Sequence, residues 1–352
     1  MIPMHPEVAI ILLNWNGWKD TVECLESLYQ IDYPSYNIIV VDNDSQDDSL
    51  KKIRKYCEGE MEVESKFFYY NSLNKPVEIF EFDEDELNPL KKTDSTIENH
   101  TESDNNGKAI PDDLRSITNR IKSTPSSGKL ILIKNHENYG FARGNNIGIS
   151  FAREILNSPY TLLLNNDTVV DKNFLQELIK VAESDEEIAL VGSKIYYYDF
   201  NGKNEEIWCV GGKINLNHYP GHYAVLEDVD INSYQDQTLD VDWVSGAAML
   251  IKADKVPFNY LDEDFFFGCE DADLALKLTS RGFKAITALN SIVWHKIGVS
   301  RKKGKLINTT ISEIKTSLKF MKAHKKGYRR RLPIYYMQIF YFYLSGFVKR
   351  FF

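Results

Sequence analysis

The densest set of reactive groups lies in residues 261–274, LDEDFFFGCEDADL. There Asp262, Glu263, Asp264, Glu270, Asp271 and Asp273 surround three consecutive phenylalanines. Apolar walls beside a carboxylate raise its pKa and strengthen it as a base. An acidic first helical turn also accounts for Glu270, Asp271 and Asp273, but not for the aromatics before them. A second group, Asn165-Asn166-Asp167, directly follows the apolar run TLLL. An acidic strand end of this kind can hold Mg²⁺ or Mn²⁺ against a diphosphate, since both take hard oxygen ligands and keep several waters. Two further polar clusters end apolar runs: Asn14-Trp15-Asn16 and Asp42-Asn43-Asp44-Ser45. A carboxylate there can accept from a ribose hydroxyl or a base N–H. Asn, Asp and Ser also favour plain turns and caps, so each cluster alone has that second reading. His295, after Ile292-Val293-Trp294, is either a metal ligand or a hydrogen-bonded structural residue.

These groups need a scaffold that brings strand ends together. Val8–Leu13 and Ile38–Val41 are continuous apolar runs, as in strands buried on both faces. Between them Thr21–Tyr29 places Val22, Leu25 and Leu28 on one helical side. Strand, helix and strand make a βαβ unit, and ligands bind beyond the carboxyl ends of its strands. The spacing predicts a helix over Ser49–Tyr56. The rhythm returns with a strand at Lys129–Ile133, a Gly- and Asn-rich turn at Asn135–Asn146, and a helix over Asn145–Leu156. Further strands are expected at Thr161–Leu164, Ile188–Tyr198, Val241–Ile251, Ala285–Ala288 and Ile292–His295. Helices are expected over Asn173–Ser184 and Glu270–Arg281. The fold class is α/β, with a Rossmann-like, mostly parallel central sheet flanked by helices.

The chain has 352 residues and a formal net charge of -9, unevenly distributed. Glu58–Ser127 carries 16 acidic and 8 basic residues, including EFDEDE and TDSTIENHTESDNNGK. It reads as an acidic, partly disordered surface insertion, with a hairpin of Phe67–Tyr70 and Val77–Phe82 inside it. Lys315–Phe352 has 10 basic and no acidic residues. Within it Leu332–Val348 is mostly apolar and rich in tyrosine. As a helix it spans about 26 Å, short of the ~30 Å hydrocarbon core. Its basic and aromatic mixture suits an interfacial helix, and a helix packed on the protein or in an oligomer is the other reading. The domains are therefore a catalytic unit of 1–57 with 128–300, the insertion 58–127, and a basic aromatic helical tail 301–352. The 4 cysteines, Cys24, Cys57, Cys209 and Cys269, form no CxxC pair, which fits unpaired thiols in a reducing compartment. The first residues, MIPMHPEVAI, lack the pattern of a secretion signal. The placement expected is cytoplasmic, at the inner face of the cell membrane.

In order along the chain, IILLNWNGWKDTVECLESL, IIVVDNDSQDDS, NHENYGFARGNNIGI, TLLLNNDTVVD, VDWVSGAAMLI, FFFGCEDADLALKLTSRGF and VWHKIG resemble the family 2 glycosyltransferases. They are most similar to the rhamnosyltransferase-like branch that acts in cell-surface polysaccharide synthesis. The ordered set covers roughly two-thirds of the chain and is far more specific than any motif in it. The resemblance implies a GT-A fold and an inverting transfer from a nucleotide-diphosphate sugar to a glycan or lipid-linked acceptor. It implies that Asn14, Trp15, Asn16 and Asp42 hold base and ribose. It implies that Asn138, Gly140, Phe141, Ala142, Asn145 and Asn146 form a loop closing on the nucleotide. Asn165 and Asn166 fall on the donor side, with Asp167 as metal ligand. Asn165 stands where the family's DXD pattern has its first Asp, and an amide oxygen ligates more weakly. His295 matches a further metal-binding histidine of some relatives. Trp243, Ser245 and Gly246 match a segment facing donor sugar and acceptor. Asp271 matches the catalytic base, and Glu270 would orient it or touch the acceptor. The implied cofactor is Mg²⁺ or Mn²⁺. The implied partners are the donor, the acceptor and a peripheral membrane contact through the tail, with a homo-oligomer possible in principle and no nucleic acid. Two other classes share parts of the pattern. Sugar nucleotidyltransferases usually need a Gly-rich loop with a basic residue after the first strand, where this chain has Asn14-Trp15-Asn16-Gly17. A non-catalytic carbohydrate-binding protein would not require Asp42, Asp167 and Asp271 together.

Overall fold

The computed structural model describes residues 5–87, 112–224, 237–256, 260–266, 268–297 and 306–351. The polar stretch 93–108 and Phe267 of the aromatic run lie outside them. In chain order the elements are β1 (Val8–Asn14), α1 (Trp18–Leu28), β2 (Tyr36–Asp42), α2 (Ser49–Glu58), β3 (Glu78–Asp83), α3 (Asp112–Ser123), β4 (Lys129–Lys134), α4 (Gly140–Phe151), β5 (Tyr160–Asn165), β6 (Thr168–Val170), α5 (Phe174–Ala182), β7 (Ile188–Tyr197), β8 (Ile207–Cys209), β9 (Gly212–Ile214), β10 (His222–Ala224), β11 (Thr238–Val241), β12 (Ala248–Lys252), α6 (Glu270–Thr279), β13 (Lys284–His295), α7 (Leu306–His324) and α8 (Tyr328–Phe351).

One large sheet runs β11-β13-β7-β12-β5-β1-β2-β4-β3, with β6 on β13 and β8 on β7. From β5 to β3 every pairing is parallel. This half is built from VAIILLN, YNIIVVD, KLILIK and YTLLLN, whose side chains are almost all buried, as strands covered on both faces require. Register then aligns the polar ends. Asn14 pairs with Asp42, Leu13 with Asn165, and Asp42 with Lys134, so Asn14, Asp42 and Asn165 share one rim. On the other side β12 lies antiparallel between β5 and β7, and β11 is antiparallel on β13, so the sheet is mixed there.

Several local expectations are corrected by pairing. Val77–Phe82 forms no hairpin with Phe67–Tyr70. Its residues 78–83 are β3, an edge strand parallel to β4. Phe80, Phe82 and Leu87 lie in the core, so this part of the 58–127 segment belongs to the catalytic unit. The preceding loop is anchored by the buried Glu26, which accepts from Tyr56 Oη at 2.7 Å, Asn71 N at 2.9 Å and Lys75 Nζ at 3.1 Å. A buried carboxylate needs such partners. Val241–Ile251 is not one strand: β11 ends at Val241, β12 begins at Ala248, and Ser245-Gly246 lies in the turn between. Conversely, 285–288 and 292–295 belong to one strand, with a bulge in its pairing to β7. The C-terminal helices pack on the body. Phe320, Met321 and Tyr335 are fully buried, and Tyr335 Oη donates to Leu216 O at 2.7 Å.

Candidate active site

At the carboxyl rim of β1 and β2 the polar residues mostly bind one another. Asp42 is 2% exposed. Its Oδ1 accepts from Asn14 Nδ2 at 2.6 Å and Ser45 Oγ at 2.7 Å, and its Oδ2 from Ser45 N at 3.0 Å. Asn14 Oδ1 accepts in turn from Thr21 Oγ1 at 2.8 Å. Asn14 and Asp42 therefore set the shape of the rim, and the outermost group there is Trp15, 38% exposed. Asn16 has a φ of 52° and accepts from Gln46 N at 2.7 Å and Asp47 N at 3.1 Å, lacing the two strand-end loops together. A short polar side chain makes that left-handed backbone tolerable.

The Asn-rich turn is organised by a residue the sequence showed only as a member of a strand-end cluster, the buried Asn43. It donates to Asn138 Oδ1 at 2.9 Å and Gly140 O at 3.2 Å, and accepts from Asn135 Nδ2 at 2.9 Å. Gly140 has a φ of 76°, and a Cβ there would lie 2.6 Å from Phe266 O. Phe141 N donates to that same carbonyl at 2.9 Å. Gly144 and Gly148, one turn apart, face Leu13 and Ile11 of β1 so closely that a Cβ would sit 2.6 and 2.8 Å from their side chains. The glycine spacing thus seats α4 on the sheet. Ala142 is buried. Asn145 donates to Phe141 O, and Asn146 clasps Leu261 by donating to its carbonyl at 2.8 Å and accepting from its amide at 3.1 Å. Asn145 thus braces its own helix, and Asn146 holds α4 to the segment at Leu261.

The turn after β5 leads into β6, which pairs antiparallel with the end of β13 so that Thr168 stands opposite His295. That pairing brings Asp167 Oδ1 to 2.9 Å from His295 Nε2. The Asn165 amide is 3.3 Å from the same nitrogen. Asn166 turns away and donates to Thr21 Oγ1 at 2.9 Å. Burial works to raise the Asp167 carboxyl, but the His295 charge and hydrogen bond outweigh it and leave the group below its usual range. His295 Nδ1 is buried with no hydrogen-bond partner among the described residues. A carboxylate oxygen and an imidazole nitrogen 2.9 Å apart fit part of a divalent-cation site, and a nitrogen donor suits Mn²⁺ better than Mg²⁺, whereas the Asn165 amide turns its Nδ2, which cannot ligate, toward the histidine. Behind this point Lys296 Nζ reaches Asp20 at 2.5 Å and Glu23 at 2.6 Å. A different acidic group, Asp83, Asp85 and His136, lies exposed at the β3 edge. Such solvated pairs are worth little.

The third part faces these two across the turn between β11 and β12. Asp271, in the first turn of α6, accepts from Gly246 N at 3.0 Å through Oδ2 and from Ala272 N at 2.7 Å through Oδ1. Each oxygen keeps a second lone pair. Glu270 is buried, and its Oε2 has no partner among the described residues. Burial first, then the Asp271 charge, lifts its carboxyl to about 8. Ser245 accepts from Ala247 N, and Trp243 is buried with its ring edge-on to His222 at 5.4 Å. The aromatic run does not simply wall these acids. Phe265 is buried, whereas Phe266 is 61% exposed and rests on Gly140. Sequence reasoning missed His222 and His324, and placed Asp273 only in the acidic first turn of its helix. Asp273 is 1% exposed and carries His324 Nε2 at 2.6 Å and Lys277 Nζ at 2.7 Å, tying α7 to α6. The only local sign was an acid amid apolar residues in a helix. Its partner is 51 residues away.

A family profile described as glycosyl transferase family 2 matches residues 9–73 and 105–253, more than half of the chain. The chain is 28% identical over 153 residues to Rhamnosyltransferase WbbL of Escherichia coli (strain K12), a match covering 42% of this chain and 56% of the relative. It thus spans a little over half the length of that curated protein. Among solved structures, GalNAc-T7 with UDP, GalNAc and Mn²⁺ is similar at a TM-score of 0.48 and 13% identity, over 83% of this chain and 44% of the other. Mannosyltransferase PcManGT from Pyrobaculum calidifontis, in complex with GDP-Man and Mn²⁺, is similar at 0.46 and 13%, over 94% and 80%.

Proposed function

The chain belongs to glycosyl transferase family 2, and from that premise we propose that it is an inverting transferase that moves a sugar from a nucleotide-diphosphate donor to a hydroxyl of a glycan or lipid-linked acceptor. The observation that carries this reading is Asp271, held at a helix start by two backbone amides with a lone pair left on each oxygen. Asp271 takes the proton of the acceptor hydroxyl. That oxygen forms a bond to the anomeric carbon from the face opposite the nucleotide, and the sugar–phosphate bond breaks with its electron pair leaving on the diphosphate. A general base of this kind contributes roughly 10²–10⁴-fold. Glu270, neutral at physiological pH, keeps a second charge away from Asp271. Asp167 and His295 would hold Mg²⁺ or Mn²⁺. Such an ion supplies positive charge against the leaving diphosphate, an effect commonly worth several kcal/mol. Trp15, Asn138 and the first two turns of α4 up to Asn146 border the space for the nucleotide. Trp243, Ser245 and Gly246 border that for the sugars.

No helix among the described residues is long and apolar enough to cross a membrane. The placement proposed is peripheral, at the inner face of the cell membrane, where a lipid-linked acceptor would be met. The test is transfer from a panel of UDP-, GDP- and dTDP-sugars, with and without Mn²⁺. Asp271→Asn should abolish transfer and leave nucleotide affinity nearly intact. Normal turnover in that variant removes Asp271 from the mechanism.

A further inference from the structure

The last helix is apolar on the side it turns to solvent as well as on the side it buries. Tyr328, Tyr335 and Ile339 recur at one-face helical spacing and pack on the body, with Tyr335 fully buried. That face is fixed by polar contacts as well. Gln338 accepts from Tyr219 N at 2.9 Å and approaches His218 Nδ1 at 3.0 Å. The opposite face holds Arg330, Ile334, Met337 and Tyr341, with Phe340 and Tyr336 beside them. Their exposures are 39% for Ile334, 65% for Met337, 69% for Phe340, 73% for Tyr341 and 58% for Tyr336. An outward helical face on a soluble body is ordinarily polar, and a contiguous apolar one marks a contact surface. Between this face and the body lies a cleft of about 480 Å³, lined by His218, Tyr219, Ile334, Met337, Gln338 and Tyr341.

Charge selects the occupant. The chain carries -9 overall, yet from Lys315 onward it has 10 basic and no acidic residues. Lys326, Arg329 and Arg330 are exposed at the start of the helix. Apolar and aromatic side chains flanked by cations match a bilayer interface, in which rings and methylenes enter the headgroup–acyl boundary and cations meet anionic phosphates. We infer that the Ile334–Tyr341 face of α8 docks on an anionic lipid bilayer, lying along its surface without spanning it. The inference gains its purpose from the proposed use of a lipid-linked acceptor, but its physics is independent of catalysis. The buried side of the same helix fixes the catalytic body to that surface.

The experiment is co-sedimentation of the full chain with vesicles of equimolar phosphatidylglycerol and phosphatidylcholine, and with phosphatidylcholine alone. Binding is expected on the anionic vesicles and much reduced on the neutral ones. Arg329→Gln with Arg330→Gln should weaken anionic binding about thirty-fold, from the usual contribution of each basic residue near such a surface. Met337→Glu with Phe340→Glu should abolish it, with thermal melting unchanged because both positions are exposed. A full chain that stays in the supernatant overturns the inference, as does undiminished binding by the Met337/Phe340 variant. So does a dimer in sedimentation equilibrium that this variant dissolves, which would assign the face to a second copy. Vesicle binding by a protein that transfers sugar to no acceptor, soluble or lipid-linked, leaves the docking intact and removes the catalytic reading instead.

Discussion

Replacing Glu270 by Gln keeps the size of the side chain and removes its charge. In the native protein burial, reinforced by Asp271, lifts this carboxyl from 4.5 to about 8. A group whose pKa rises on folding contributes stability that is complete below its unfolded value and is lost as pH climbs through the folded one. The wild type should therefore weaken relative to Glu270→Gln between pH 4.5 and pH 8, and run parallel to it outside that window. At about 1.4 kcal/mol per unit the full difference approaches roughly 5 kcal/mol. A typical domain has only about 5–15 kcal/mol in total, so the change is readily measured. The glutamine amide also places new donors beside Oε2, where no partner is present among the described residues. That cost does not vary with pH, so the slope and not the offset is diagnostic. Urea denaturation of both proteins at several pH values across the window gives the comparison. Because Asp271 supplies part of the lift, Asp271→Asn should flatten the wild-type slope. A difference between wild type and Glu270→Gln that is constant from acid to base would refute the burial argument.

Gly140→Ala forces a Cβ to within 2.6 Å of Phe266 O at a positive φ. It should cost about 1–3 kcal/mol by overpacking and strain, read as a lower Tm and faster proteolysis around residue 266. Asp167→Asn and His295→Gln should each weaken Mn²⁺ binding at least tenfold by calorimetry on the free protein, the order seen when a metal site loses a partner. Equal affinity in all three proteins would move the metal site elsewhere. His324→Ala leaves the buried Asp273 with Lys277 alone. It should destabilise the protein by roughly 3 kcal/mol and lower kcat more than the donor KM, because α6 carries Asp271. An unchanged denaturation midpoint would show that the ion pair contributes little.

The parallel half of the sheet is legible because each buried strand is one apolar run closed by polar residues. Val8–Asn14 and Tyr160–Asn165 follow this pattern directly. The errors arise where pairing decides the outcome. Residues 78–83 have the composition of a hairpin arm, but their partner is β4, across 45 intervening residues. At 242–247 a run of apolar and small residues is bent into a turn by Gly246, which the Asp271 carboxylate meets. The rim clusters stand at the strand ends as read from the sequence, and the structure adds that Asp42 accepts from Asn14 and Ser45. Side-chain direction at a strand end depends on neighbouring loops, which no local pattern encodes. The Asp167–His295 pair shows the same limit. Its members are 128 positions apart in sequence, and only the pairing of β6 with β13 makes them neighbours.

The same geometry gives many of the conspicuous polar residues a bond within the protein. A site between two halves of a sheet needs the halves fixed to within fractions of an ångström before a base, a sugar carbon and a leaving group can be aligned. Asn14, Asp42, Asn43, Asn145 and Asn146 supply that fixing through hydrogen bonds to backbone and to one another. Asp271 keeps a second lone pair on each carboxylate oxygen beyond its two backbone bonds. The two halves meet where Phe266 lies on Gly140 and where Asn146 grips Leu261. Both contacts involve the segment just before Glu270 and Asp271. The turn at Gly140 is thereby joined to the stretch that leads into α6, and α7 is bonded to α6 from the other side through His324. Alignment of Asp271 depends on both restraints, which is why changes at Gly140 and at His324, neither of which bears on the reacting atoms, should both lower turnover.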